Sequence, residues 1–415
     1  MLERHAGLAV LRHRSFARYA LCRFATTFSW QILGVAVGWQ VYALTHDALA
    51  LGFVGLFEFL PFVALVLVGG QVADRVERRS VLIGAWLLDA LCVGGLALLT
   101  RLGRPEVWPI YLAVAIFGAT RAFWAPAMQA TVPNLVPREE FSRAVALNST
   151  LFQVSVIAGP ALGGVLFVVG PAAAFALCSA LFVLAALIAF GIRPLARIRD
   201  GAAMPERAGH TFLSGLRYVL HQRVVLGVIS LDLFAVLFGG ATALLPLYAS
   251  EVLHVGPIGL GLLRSAPGVG AAITAAVLTL RPVQRHAGAV MFGGVALFGV
   301  STLVFGASRD FPLSLAALLV LGVGDMLSVY VRAILVQVNT PDAIRGRVSA
   351  INSMFIGTSN ELGEFESGVT ARWFGAVRAV ILGGALTLAV VVVWMGLFPQ
   401  LRRLDALHRS ADPPA

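Results

Sequence analysis

The chain has 415 residues, of which 59% are hydrophobic and 13% charged, with a mean hydropathy of +0.87. Soluble domains carry about 25% charged residues, so this composition excludes a soluble globular protein and reads as a polytopic helical membrane protein. The net charge is +10 and all 31 basic residues are Arg. Without Lys there is no P-loop, pyridoxal Schiff base or lysine nucleophile, so an enzyme that hydrolyses nucleotide is excluded and any pumping must draw on an ion gradient. No soluble domain exists to carry a nucleic-acid-binding patch; the positive charge reads as topology and contact with anionic lipid.

In chain order, apolar runs of membrane-spanning length fall at about 16–44, 49–73, 80–101, 107–127, 141–169, 172–192, 222–250, 258–280, 288–308, 312–338, 345–370 and 374–398. Twelve spans put both termini on one side. With each Arg near the end of a span assigned to the adjoining loop, 22 Arg belong to the termini and the even-to-odd loops, and five (Arg101, Arg104, Arg309, Arg372, Arg378) to the opposite side. The bias predicts cytoplasmic termini. The first run is too long for a signal-peptide core and lacks a small-residue cleavage site, which predicts an uncleaved first helix. Cys22, Cys92 and Cys178 lie in apolar runs and read as small core residues, and the scattered His show no metal-ligand spacing, so neither metal nor cofactor is expected.

The one long polar stretch, with Arg193, Arg197, Arg199, Asp200, Glu206, Arg207, Arg217 and Arg223, predicts a cytoplasmic linker over 193–223, part of it amphipathic, between six-helix bundles at 1–192 and 224–400, with a cytoplasmic tail at 401–415. An internal repeat supports the division. At an offset of 206, Pro61 meets Pro267 and Arg75 meets Arg281; at 204, Pro137 meets Pro341 and Ala146-Leu147-Asn148-Ser149 meets Ala350-Ile351-Asn352-Ser353. Parallel repeats of this kind build a 6+6 architecture. The repeat also reverses buried charges: Glu58 corresponds to Arg264, and Arg121 to Asp325.

Between the second and third spans lies Gly69-Gly70-Gln71-Val72-Ala73-Asp74-Arg75-Val76-Glu77-Arg78-Arg79, with five charges in six residues. Such a string between spans must be a tight turn at a membrane surface. Gly69 and Gly70 suit close helix packing, and Asp74 can face a helix N-terminus with Arg75, Arg78 and Arg79 around it. The string resembles the G-x-x-x-D-R-x-x-R-R loop of the major facilitator superfamily through Gly70, Asp74, Arg75, Arg78 and Arg79. In that family the loop is a latch that favours one side of an alternating-access cycle. Elsewhere in the chain, Glu58-Phe59-Leu60-Pro61, Arg121-Ala122-Phe123-Trp124-Ala125-Pro126-Ala127 and Leu135-Val136-Pro137-Arg138-Glu139-Glu140 resemble the enterobactin-exporter-like branch.

In the fifth span, Gly159, Pro160, Gly163 and Gly164 resemble the G-P-x-x-G-G pattern of antiporters in the superfamily, which implies that this span meets the eighth; the glycine that pattern expects earlier falls near Leu151. An intramembrane Arg needs a partner or water, and the resemblance implies proton coupling for Arg121. It also places Asp232 and Asp325 on spans lining a common cavity. Glu58, Glu361 and Glu364 form a candidate proton-carrying cluster, because crowded carboxylates in low dielectric raise one another's pKa, with Arg264 facing the fifth span. Asp89 and Arg332 are further candidates. The expectation is an all-α proton-coupled exporter of a siderophore or drug-like small molecule in the inner or plasma membrane, a monomer needing small molecule, protons and lipid as partners. Multidrug efflux, uptake of a solute or lysophospholipid, and a transport-inactive receptor or scaffold remain the alternatives.

Overall fold

The order of elements follows from where the chain places its glycines, prolines and charges between apolar runs. The structure, a computed structural model, describes residues 8–193, 208–341 and 344–405, and among these every regular element is helical. A short 3-10 turn (Leu8–Arg12) leads into α1 (Arg14–Thr45), followed by α2 (Ala48–Arg75), α3 (Arg78–Arg101), α4 (Val107–Thr131), α5 (Phe141–Val169) and α6 (Pro171–Ala189). The second half comprises α7 (Ala208–His221), α8 (Arg223–Phe238), the single turn α9 (Leu245–Leu247), α10 (Gly256–Leu280), α11 (Ala287–Ala307), α12 (Phe311–Val338), α13 (Arg345–Phe374), α14 (Ala376–Leu397) and the short α15 (Pro399–Arg402). At 1.5 Å per residue the long helices span a hydrocarbon core of about 30 Å.

Among the described residues, eleven stretches are both long and apolar enough to cross a membrane. The expected eleventh span is the one that misses on composition. α13 has the length, at 30 residues, but Glu361, Glu364 and Glu366, with Arg345, Arg347 and Arg372 near its ends, lower its hydropathy. Such a helix must turn its charges toward protein or water rather than lipid.

The expected seventh span is not one continuous helix. α8 stops at Phe238, and the chain passes through Gly239-Gly240, a 3-10 turn (Ala241–Leu244), α9 and a π-turn (Tyr248–Val252). Two glycines and Pro246 disfavour regular helix here. The Ser367 hydroxyl donates to the freed Gly240 carbonyl at 3.1 Å, which is how broken backbone at membrane depth is tolerated.

Two compact units emerge. The first comprises 1–46, 57–208 and 256–265; the second, 47–56, 209–255 and 266–415. Each takes one short segment from the other half of the chain. In the first unit α1 packs on α5 and α6, and α3 on α4 and α6, around fully buried Trp86, Tyr19, Phe16 and Phe175. In the second, α11 packs on α12 and α14, and α8 on α13 and α14. Of the expected linker, 194–207 lie outside the described residues, and α7 docks on the second unit: Val219 is buried in its core, and the Tyr218 hydroxyl donates to the Asn339 carbonyl. Cys22 and Cys178 are buried and free, and Cys92 is half-buried and free.

Candidate functional site

Glycine positions set how closely helices approach, and the approach decides which charges meet. In the first unit a Cβ on Gly118 of α4 would lie 2.0 Å from the Glu58 carbonyl, and one on Gly69 of α2 would lie 2.0 Å from the Ala122 carbonyl. α2 and α4 therefore touch backbone to backbone at Glu58 itself and again at Gly69, and Arg121 lies between the two contact points on α4. The Arg121 guanidinium forms an ion pair with Glu58, the two side chains 21% and 14% exposed, and sits 4.4 Å over the Phe62 ring. Salt-bridged and stacked, Arg121 has the partner its depth demands. The residue before it, Thr120, donates to Asp89 of α3 at 2.7 Å; Asp89 is 3% exposed. One turn of α4 thus ties carboxylates on α2 and α3.

The ion pair of Glu58 with Arg121 is one that the sequence does not display. Periodicity gives the depth of a charge but not which way its helix is rotated. Glu361 and Glu364 belong to the second unit, where α13 packs on the first turns of α2: a Cβ on Gly55 would lie 2.7 Å from the Glu361 carbonyl and 3.0 Å from Oε2 of Glu364, and Gly52 approaches Gly368. The Arg372 guanidinium forms an ion pair with Asp47 at 3.3 Å beside this contact.

The antiporter-like motif divides its glycines between two neighbours. Gly159 and Gly163 lie against α1, at Gln31 and Ile32, and Gly164 against the Pro257 carbonyl of α10; Gly261 of α10 in turn meets the Pro160 carbonyl. α5 and α10, the fifth and eighth membrane-length helices, meet at the motif. One turn further along α10, Arg264 lies along α1, where a methyl on Gly34 would be 2.7 Å from Nη1.

At the loop, α2 ends at Arg75 and α3 begins at Arg78. Arg78 donates to the Ala130 carbonyl at 2.7 Å and Arg79 to the Phe190 carbonyl at 3.1 Å, so the two arginines bind the ends of α4 and α6. Arg75 is exposed. The side chain of Asp74 lies outside the described residues. Gly69 supplies the close approach, whereas a Cβ on Gly70 would meet nothing within 4 Å.

The second unit holds a different constellation. Asp325, Ser328 and Arg332 share one face of α12 by their spacing of three and seven. Arg332 forms an ion pair with Asp232 of α8, and its Nη2 lies 3.8 Å from Asp325. Asp232 is 7% exposed, while the Asp325 side chain is 45% exposed. These residues, with Phe298 and Val295 of α11, line a small, partly open pocket. Arg332 is central here, although its sequence context marked it only as a further candidate; its position seven residues after Asp325 is the signal that links them.

Similarity to known proteins extends over nearly the whole chain. The family model described as transmembrane secretion effector matches residues 5–414. An enterobactin exporter, EntS, of Citrobacter koseri is 27% identical over 402 residues, covering 96% of this chain and 95% of that protein. Its counterpart in Escherichia coli O1:K1 / APEC is 26% identical over 402 residues, with the same shares covered. Among solved structures, the nucleoside transporter NupG superposes with a TM-score of 0.71 at 14% identity, covering 92% of this chain and 99% of that one. A POT family transporter in complex with 5-aminolevulinic acid gives 0.74 at 11%, covering 94% and 96%. At such identities the structural likeness shows the fold alone, a twelve-helix transporter fold. The chain is a multi-pass inner-membrane protein and a secondary transporter of a small molecule, and it belongs to the transmembrane secretion effector family of the major facilitator superfamily.

Proposed function

We propose that this transporter is a proton-coupled exporter of a siderophore or drug-like small molecule that works by alternating access, as a monomer with cytoplasmic termini in contact with anionic lipid. The observation that carries the reading is the Glu58–Arg121 pair, largely buried and clamped between backbones in direct contact. A proton taken up by Glu58 neutralises the carboxylate and dissolves the ion pair; its release restores it. The difference between a paired and an unpaired buried Arg is several kcal/mol, enough to bias a two-state element.

Other residues take supporting roles in this reading. Gly70, Asp74, Arg75, Arg78 and Arg79 form the latch, for which the bonds of Arg78 and Arg79 to the ends of α4 and α6 are suited. Gly159, Pro160, Gly163 and Gly164 let α5 slide against α1 and α10. Arg264, Glu361 and Glu364 lie at the glycine-lined contacts that must open and close, and Asp232 and Asp325 face substrate. The excess of Arg in even-to-odd loops supports the orientation. The relatives' name supports export of a siderophore, and multidrug efflux is the nearest alternative.

Direction is tested with vesicles of defined orientation loaded with a catechol siderophore or a cationic drug. Proton-driven movement from the face bearing the termini to the opposite face supports export. Movement only the other way would establish uptake of solute or lysophospholipid instead.

A further inference from the structure

The pocket of the second unit has an excess of negative charge. Asp232 and Asp325 are two carboxylates, and among the described residues Arg332 is the guanidinium paired with them. Arg332 is closer to Asp232, which leaves Asp325 at 3.8 Å, half-exposed and facing the pocket. An unbalanced charge at membrane depth is costly, and a cation beside Asp325 would remove the imbalance.

A second, independent observation points to a ligand. Ser328, between Asp325 and Arg332 on the same face of α12, is 1% exposed and lines the pocket, yet its hydroxyl has no hydrogen-bond partner among the described residues. Nε of Arg332 is likewise buried without a partner among them. Buried polar groups are otherwise satisfied, so this pocket offers a carboxylate, a free hydroxyl and an aromatic wall at Phe298. That combination suits an N–H-bearing cation: charge to Asp325, one N–H to the Ser328 oxygen, and the ammonium or its adjacent carbons over the Phe298 ring.

Size restricts what can enter. Drug-sized ligands need roughly 300–1,000 Å³, whereas the enclosed part of this pocket has room for about one water-sized group, so it takes the ammonium alone and the remainder of the molecule lies outside. We infer that the pocket formed by Asp325, Ser328 and Phe298 is a recognition subsite for the protonated amine of an organic substrate. The inference rests on the transporter reading above but not on its proton-coupling step.

The test uses equilibrium binding to the full-length protein in nanodiscs, without any gradient. The probe is dansylcadaverine, a fluorophore on a five-carbon primary amine, against its N-acetyl derivative, which keeps the shape and loses the charge. The expected result is binding of the amine at least tenfold tighter than the acetylated form. Asp325→Asn should bring the two within about twofold, Asp325→Glu should retain the preference, and Ser328→Ala should weaken the amine alone by severalfold. Equal binding of both probes to the native protein, or a preference surviving in Asp325→Asn, overturns the proposal. Displacement of the amine by sodium but not by choline at equal ionic strength would assign the pocket to an inorganic cation and also overturn it. If Asp325→Asn does not fold, the comparison of probes on the native protein and on Ser328→Ala decides. Amine preference retained in Arg121→Ala, with transport lost, would separate this subsite from the coupling mechanism; proton coupling without amine preference would leave that mechanism standing and remove the subsite.

Discussion

The two units solve the same problem, charge at membrane depth, in opposite ways. In the first, one Arg meets Glu58 between helices whose backbones touch at Gly69 and Gly118. In the second, α10 and α12 also touch, at Gly270 and Gly322, where a Cβ would lie 2.0 Å from the Leu319 and Pro267 carbonyls. Gly322 stands at the repeat position of Gly118, and Asp325 at that of Arg121. The close helix contact is preserved across the repeat while the charge it carries is inverted. The cation of the second unit comes instead from Arg332, two turns along α12. The lesson is that backbone approach is the repeated structural element and the charges are fitted to it: a balanced pair suits a proton switch, and an acidic, partly open cluster suits a ligand.

The largest effect expected from breaking this comparison is at Arg332. Arg332→Leu leaves Asp232 buried without its cation, and loss of one partner of a buried pair costs about 3–5 kcal/mol. Thermal unfolding in detergent should show a clear fall in Tm, largely recovered by adding Asp232→Leu. No fall would mean that the ion pair does not hold α8 to α12.

Next in size are the glycine contacts. Gly118→Ala and Gly322→Ala place a methyl on a backbone carbonyl in each unit, and overpacking of this kind costs about 1–3 kcal/mol. Gly70→Ala meets open space in the same helix as Gly69 and should be neutral or gain up to about 1 kcal/mol from helix propensity. Parallel Tm measurements would sharpen the equivalence of the two contacts: similar losses at 118 and 322 support it, and a loss confined to one removes it.

A smaller effect lies outside the membrane. Glu140, before α5, is bound by Arg12 and by His13, whose Nε2 lies 2.9 Å from Oε2. Desolvation pushes its carboxyl up, but the hydrogen bond from His13 and the charges of Arg12 and His13 outweigh it and hold it below the ordinary carboxylate value. A depressed folded-state pKa means that its contribution is present above the unfolded value, about 4.3, and lost as pH falls through the folded one. Native stability should decline over that acidic window, and Glu140→Gln should flatten the decline. Identical acid profiles would show that the contact does not contribute.

Much of this is legible in the sequence. Among the described residues, run length locates the eleven stretches long and apolar enough to cross a membrane and, beside them, the charged helix α13, and the repeat marks Arg121 and Asp325 as opposites. Pairing is not legible, because it depends on helix rotation: the sequence marks Glu58 and Arg121 as charges at membrane depth but does not show that they form an ion pair. The break after α8 has its cause in plain view at Gly239, Gly240 and Pro246, but a continuous apolar run masks a change of backbone. Gly69 and Gly70 are indistinguishable in a motif, and only the position of α4 shows that Gly69 is the one pressed against a neighbour.

The central claim is that the buried Glu58–Arg121 pair couples proton movement to export. The most direct measurement is proton release into a pH-sensitive dye from purified protein in proteoliposomes, on adding a catechol siderophore and then a cationic drug, for the native protein, Arg121→Ala and Glu58→Gln. The account predicts release by the native protein with at least one ligand class and its loss in both variants. Release that persists undiminished in the variants would contradict it.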